Sequence, residues 1–346
     1  MNVIHFINAL ENGGAEKILY DTIAGLNGEF NHTVVVISKR GSYVAKLIDH
    51  KIKVETISLM LFMRLMLENR KNTIVHSYLY RSHLLSILFK LAGYSVIWSI
   101  HSSFVNKPKF IVKIVGLFSH FIPKKIVFVS KYAQEQHSNF GYSIKKSMVI
   151  YNGIDVDKFN DGKGCDINLG KQDCKKICMV SRFHQVKDYP RFFSIASRLI
   201  HYHPKSHFYL IGKGNNNENS LLTELLNRYS LAKQVTLLGE VSDISKIYPC
   251  FDLLVSTSQS ESFGLTILEA ISSGLNVSTI NLPVLNELLG EYTTNEAIDD
   301  DSEIALRWLD KAGTPPPEIS KKFIEDNYSL ESMTRSFSCL YKDIIQ

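Results

Sequence analysis

The chain has 346 residues, of which 45% are hydrophobic and 21% charged. That length suits two domains better than one core, and that composition excludes a disordered chain. No stretch of 18 consecutive apolar residues occurs, so no membrane-spanning helix is predicted. The net charge of +5 is unevenly spread: residues 1–160 carry 20 Lys+Arg against 10 Asp+Glu, and the remainder 19 against 24. A basic first half implies an anionic partner on that side, be it phosphate groups, a membrane surface or nucleic acid. The five cysteines are odd in number and form no CxxC pair. They suggest neither a disulfide framework nor a zinc site, and a reduced, cytoplasmic protein is the expectation.

The first segment, MNVIHFINAL, has no basic region ahead of its apolar run and reads as a strand, not a signal peptide. VIHFI (3–7) is followed by a glycine turn and a helix from about Ala15 to Leu26. HTVVVIS (32–38), TIVHSY (73–78), SVIWSI (95–100) and KIVFVS (125–130) are the next strands, with helix-like stretches between them. The second half repeats the alternation with KICMVSR (176–182), HFYLIG (207–212), QVTLLG (234–239), DLLVSTS (252–258) and NVSTIN (276–281). Such alternation predicts parallel sheets covered by helices on both faces. The polar, glycine-containing stretch 161–173 reads as a linker between domains at 1–160 and 174–325, and TPPPE (314–318) is a second break before a helical tail at 326–346. Ligands are expected at the carboxyl ends of the strands, across a cleft between the domains.

Glu261 and Glu269 stand eight apart around a Ser-Phe-Gly turn, with the second predicted two turns into a helix starting near Gly264. The amides of Phe263, Gly264 and Leu265 would be free at that helix start and suited to phosphate, while the carboxylates could accept bonds from sugar hydroxyls. Spacing alone allows two solvated glutamates equally well. Arg182 and Lys187, five apart in a loop after a strand, could clamp a pyrophosphate, or be ordinary surface charges. Gly13 and Gly14 open a helix where an anion could approach the backbone. His101 ends an apolar strand, where pocket residues emerge; a packing histidine is the alternative. His5, His76 and His184 have weaker claims. Asp155-Val-Asp157 has the form of a metal-binding pair but lacks a second acidic cluster, and reads as structural.

Two basic, apolar stretches stand out, MLFMRLMLENRK (60–71) and NKPKFIVKIVGLFSHFIPKK (106–125). In the second, Phe110, Ile114, Leu117, Phe118 and Phe121 recur at helical spacing between lysines. This is either a core helix with snorkelling lysines or a surface that settles on an anionic membrane.

ESFGLTILEA followed by SSGLNVST resembles the EX7E segment of glycosyltransferase family 4. Further segments resemble that family in the same order: NGGAEK (12–17), HSSF (101–104), FVSKY (128–132), VIYNGID (149–155), SRFHQVKDYP (181–190), IGKG (211–214) and VTLLGEV (235–241). The likeness runs from about residue 5 to residue 290. It implies the GT-B fold, α/β with two Rossmann-like doubly wound domains facing a cleft and a C-terminal helix crossing back to the first. It also implies a retaining, metal-independent transferase that needs no cofactor beyond a nucleotide-sugar donor, a UDP-hexose or UDP-N-acetylhexosamine by family habit.

On this resemblance Glu261 holds the donor sugar and Glu269 the ribose. Arg182, Lys187 and the backbone of Ser262, Phe263, Gly264, Leu265 and Thr266 hold the diphosphate. Gly13, Gly14 and Gly212 line the donor, Gly239 to Val241 receives the base, and His101 bonds a sugar hydroxyl. The implied acceptor is a saccharide on undecaprenyl diphosphate in bacterial surface polysaccharide assembly, at the inner face of the cytoplasmic membrane. Two positions depart from the family pattern: Ser262 replaces a glycine, and Asn276 with NLPVLNE (281–287) replaces a proline and a G-G-x-x-E. The rival readings are an epimerase or phosphorylase of the same fold, and a silent nucleotide-sugar or anionic-lipid binder. A nucleic-acid binder finds no motif or aromatic platform in this chain.

Overall fold

The computed structural model describes residues 1–38, 41–67, 70–101, 108–159, 165, 169, 174–280, 282–290, 295–296, 299–314 and 320–345. Residues 102–104 of the HSSF segment, Asn281, residues 315–318 and most of the 161–173 stretch lie outside these. The chain divides into two compact units, Met1–Gly153 with Tyr328–Gln346, and Ile154–Asn327.

The first unit is a parallel sheet of seven strands: β1 (Asn2–Ile7), β2 (Asn31–Val36), β3 (Lys53–Thr56), β4 (Thr73–Tyr78), β5 (Ser95–Ile100), β6 (Lys125–Phe128) and β7 (Ser147–Val149). Their order is β3-β2-β1-β4-β5-β6-β7. The inner strands β1 and β4 bury nearly every side chain, so they read as continuous apolar runs, as a sheet covered on both faces requires. The edge strands β3 and β7 are short and half-exposed, with no apolar run to betray them, and the sequence reading did not place them. Helix Leu330–Ile345 belongs to this unit and packs on helix Gly14–Leu26 and on β4. Tyr341, fully buried, meets Phe30 edge-on at 5.5 Å and bonds the His76 ring.

The second unit is a parallel sheet of β8 (Lys176–Val180), β9 (His207–Ile211), β10 (Val235–Gly239), β11 (Leu253–Ser256), β12 (Asn276–Ile280) and β13 (Asn295–Glu296). The order is β10-β9-β8-β11-β12-β13. The helix Tyr189–Tyr202 presents Phe192, Phe193, Ile195, Ala196 and Leu199 to a core completed by Trp308. Burying each large side chain of that core contributes about 2–3 kcal/mol.

The two parallel-sheet α/β units have the GT-B architecture the sequence led us to expect. The cysteines correct another expectation. Cys165 and Cys250 are joined in a disulfide within the second unit, while Cys174, Cys178 and Cys339 remain thiols. The partners lie 85 residues apart, so no local spacing could announce the pairing. The cysteine count therefore carries no argument for a reduced compartment.

Candidate functional site

Each sheet reverses its strand order at one place, and in doubly wound sheets ligands bind beside that reversal. In the second unit the chain winds outward from β8 to β10, then returns to the other side of β8 with β11. The loops leaving β8 and β11 therefore meet at the reversal. They carry Arg182 and Lys187 on one side, Glu261 to Thr266 on the other.

These loops touch. Lys187 Nζ forms an ion pair with Glu261 Oε1. Gln259 N donates to Val186 O at 2.8 Å, and Gln259 Nε2 donates to Asp188 Oδ2 at 3.1 Å. The buried Thr257 hydroxyl faces two carbonyls, Lys187 O at 2.8 Å and Asp188 O at 3.1 Å. Asp188 is left-handed at φ 49°, and its Oδ1 caps helix Tyr189–Tyr202 by accepting from Arg191 N. Arg182 stands exposed where the chain leaves β8. His184 is exposed, and its Nδ1 accepts from Val186 N at 3.3 Å.

Gly264 precedes helix Leu265–Ser272 with φ 90° and no side-chain cap, so the first amides of the helix receive no bond from a capping side chain. Glu269 is the fifth residue of that helix, nearer to one turn in than the two expected, and it is buried. Phe263 is buried, while Ser262, Leu265 and Thr266 are half-buried. Tyr248, fully buried, donates to Thr266 O at 3.2 Å.

The turns after β9 and β10 close on the same edge. Gly212 takes φ 121° and Gly239 φ 66°; a Cβ on Gly212 would stand 2.5 Å from Ser181 O, so only glycine fits there. Gly212 N donates to Gly239 O at 2.6 Å, and Gly239 N to Asn215 O at 3.0 Å. Asn215, fully buried, also donates from Nδ2 to Ser181 O and accepts from the Tyr189 hydroxyl at 2.8 Å. Val241 lies half-buried two residues beyond. Asp188, Asn215, Thr257 and Gln259 were not singled out from sequence. The Asp-Tyr-Pro run of a helix start was a usable signal for Asp188; the others carry none.

In the first unit the reversal falls between β1 and β4. Gly13, extended and without a side-chain bond, starts helix Gly14–Leu26, and a Cβ there would collide with the Glu16 carboxylate. Leu79, directly after β4, holds a left-handed φ of 71°, a strained conformation for a side chain of its size. His101 follows β5, half-buried but with both ring nitrogens inside, its ring stacked on Tyr78 at 5.5 Å. Burial lowers its pKa to about 3, so the imidazole is neutral.

Tyr78 also bonds His5 Nδ1 at 3.1 Å and His76 Nδ1 at 2.9 Å. His5 reaches His32 at 3.0 Å, and His76 reaches Ser99 at 2.6 Å. His5 and His76 thus serve the buried network of the fold. Asp155 accepts from Lys158 N at the start of a short helix, the structural role expected of it. Among the described residues no group of three or more His, Cys, Asp or Glu could hold a metal ion.

The stripe on helix Lys109–Phe118 faces outward. Val112, Val115 and Gly116 are its buried side, while Phe110 is 65%, Leu117 60% and the following Phe121 68% exposed. No described helix is long and apolar enough to cross a membrane.

Two doubly wound parallel-sheet units, each with its strand order reversing once, define a chain of the GT-B class. Residues 12–158 match the model of "Glycosyltransferase Family 4" and residues 166–311 that of "Glycosyl transferases group 1", so the chain carries these two glycosyltransferase domains in that order. Among curated relatives, the O-antigen biosynthesis glycosyltransferase WclY of Escherichia coli is 24% identical over 225 residues, 64% of this chain and 62% of that one. An E. coli UDP-Gal:alpha-D-GlcNAc-diphosphoundecaprenol alpha-1,3-galactosyltransferase is 32% identical over 182 residues, 48% of this chain and 46% of that one. The matches thus span less than two thirds of these relatives' lengths. Among solved structures, Anabaena HepE in complex with UDP-glucose superposes with a TM-score of 0.86 at 18% identity, covering 99% of this chain and all of that one. TarM does so at 0.75 and 12%, covering 98% of each chain.

Proposed function

We propose that the protein is a retaining glycosyltransferase that moves a hexose or N-acetylhexosamine from a UDP-sugar to a saccharide acceptor. The observation that carries this reading is the Lys187–Glu261 pair at the strand reversal of the second unit, beside the uncapped amides of helix Leu265–Ser272. A cation, a carboxylate and the amides of a helix start together match the two faces of a nucleotide sugar, its diphosphate and its hydroxyls. The complex of HepE with UDP-glucose and the UDP-Gal named for the E. coli relative favour UDP as the nucleotide.

Lys187, Arg182 and the amides of Ser262 to Thr266 would hold the diphosphate and stabilise its departing charge. Glu261 would leave its ion pair to take donor sugar hydroxyls, and Glu269 would hold the ribose. Gly212, Gly239 and Val241 would border the nucleotide, and Gly13 and Gly14 would be further donor-binding positions. A neutral His101 suits a hydrogen bond to a sugar hydroxyl rather than the work of a base. The acceptor would attack on the face the diphosphate leaves and pass its proton to that leaving group, with neither glutamate acting as nucleophile. The cationic loop and helix amides would take the role that a metal ion plays elsewhere.

The acceptor would be a saccharide on undecaprenyl diphosphate, the kind of substrate named for the E. coli galactosyltransferase. The exposed Phe110, Leu117 and Phe121, with Lys109, Lys113, Lys124 and Lys125 around them, would bring the protein to the anionic inner face of the cytoplasmic membrane.

A thermal-shift screen across UDP-, GDP- and ADP-sugars tests the donor. A ligand at a hundredfold its Kd adds about 2.7 kcal/mol to native stability and raises Tm. A UDP-sugar that raises Tm and is then consumed with acceptor supports the reading; binding without hydrolysis or transfer would leave a silent binder, and no shift with any donor would overturn both.

A further inference from the structure

We propose that Thr257 is a positioning residue: its hydroxyl holds the loop bearing Lys187 in register with the loop bearing Glu261, so that the cation is preset for the donor diphosphate. This rests on the donor site proposed above and adds the device that sets it.

The two loops come from different strands and share no local sequence, so something must fix their register. Three contacts do. Thr257 Oγ1 meets Lys187 O and Asp188 O, Gln259 N donates to Val186 O, and Gln259 Nε2 donates to Asp188 Oδ2. Together they engage three successive carbonyls, those of Val186, Lys187 and Asp188. A carbonyl oxygen turned toward a diphosphate would repel it; here Val186 O accepts from Gln259 N, and Lys187 O and Asp188 O share the one Thr257 hydroxyl proton. The left-handed Asp188 is what lets the chain present Lys187 O and Asp188 O to one hydroxyl. Thr257 is 2% exposed, so this bond is sheltered from competing water, whereas Gln259 lies at the surface. Lys187 itself carries a flexible four-carbon stem, and its charge can be aimed only if its backbone is held.

The experiment is calorimetric titration of the purified full chain with UDP, with GDP and ADP as comparisons. Thr257→Val keeps the shape and removes the hydroxyl; Thr257→Ser restores it. We expect Thr257→Val to weaken UDP binding about five- to tenfold and Thr257→Ser to recover most of it, the size of one sheltered hydrogen bond. In a Lys187→Ala background Thr257→Val should cost almost nothing more, because residues that act through one another are not additive. Gln259→Leu, a change at an exposed position, should weaken UDP about twofold and decides the matter alone should Thr257→Val not fold.

Binding of UDP by Thr257→Val equal to the wild type overturns the proposal, as does an equal loss in both backgrounds, which would mark a merely structural role. Where Thr257→Val does not fold, wild-type affinity in Gln259→Leu overturns it too. Absence of any UDP binding by the wild type would overturn the donor site itself, and the latch with it.

Discussion

Lys187 Nζ and Glu261 Oε1 meet across 74 residues of sequence, with their side chains 20% and 18% exposed. The cation that would meet a diphosphate and the carboxylate that would meet a sugar are thus paired with each other across two loops. A donor that took up both groups would exchange that contact for two of its own.

Glu261→Ala should therefore abolish most transfer without harming the fold. Loss of about 10²–10³ in kcat is expected, as for removal of one charged contact to a transition state, with circular dichroism and Tm near wild type. Normal turnover in the folded variant would sink the assignment of Glu261 to the donor sugar.

Acid should weaken the first unit before it touches the second. His83 and His101 are lowered to about 3, and His137 to about 4, in each case by burial first; His5 and His76 are also well below the ordinary value. The unfolded chain takes up protons on these rings from about pH 6.5, whereas the folded one resists until near pH 3–4, so stability falls as pH drops through that window and is level above it. Each such ring withdraws about 2 kcal/mol on going from pH 7.5 to pH 5. Urea midpoints at pH 8, 6 and 5 measure this, and a flat profile would show that the histidines are not buried neutral.

The Cys165–Cys250 bond predicts three titratable thiols in the denatured, unreduced protein and five after reduction. Because it closes a loop of 85 residues, its removal by Cys165→Ser should cost about 4.5 kcal/mol on the chain-entropy account. Wild-type protein in reductant should show the same fall in Tm as the variant; five thiols without reductant would exclude the bond.

Replacing Phe110, Leu117 and Phe121 together by serine should release the protein from phosphatidylglycerol-containing vesicles. All three side chains are already exposed, so folding should be unaffected. Cosedimentation should also weaken with salt, since each lysine near the surface contributes about 1 kcal/mol by attraction to anionic headgroups. Equal binding to zwitterionic vesicles would remove the electrostatic part of this account.

The sheets were readable because parallel strands buried on both faces are written as apolar runs: TIVHSY became β4 and SVIWSI became β5 residue for residue. β3, with the sequence KVET, and β13, with Asn295 and Glu296, lie at sheet edges where no such run is needed. The outward stripe on Phe110 and Leu117 could equally have been a core helix, since periodicity shows that one face is apolar and not what covers it. In the site, Arg182, Lys187, Glu261 and Glu269 stood out by charge and spacing. The residues that tie their loops together did not. Thr257 and Asn215 act through hydrogen bonds to backbone carbonyls, Lys187 O and Ser181 O among them, across 70 and 34 residues, and such bonds leave no pattern in a sequence.

Helix Leu330–Ile345 belongs to the unit formed by the first 153 residues, and Tyr341 closes on His76 there. On a ribosome adding 5–20 residues each second, the stretch separating Gly153 from Tyr328 takes roughly 10–35 s to make. Throughout that interval the nascent first unit exposes the apolar surface that Phe337 and Tyr341 will later cover. The second unit, continuous in sequence, can finish folding before the first one does.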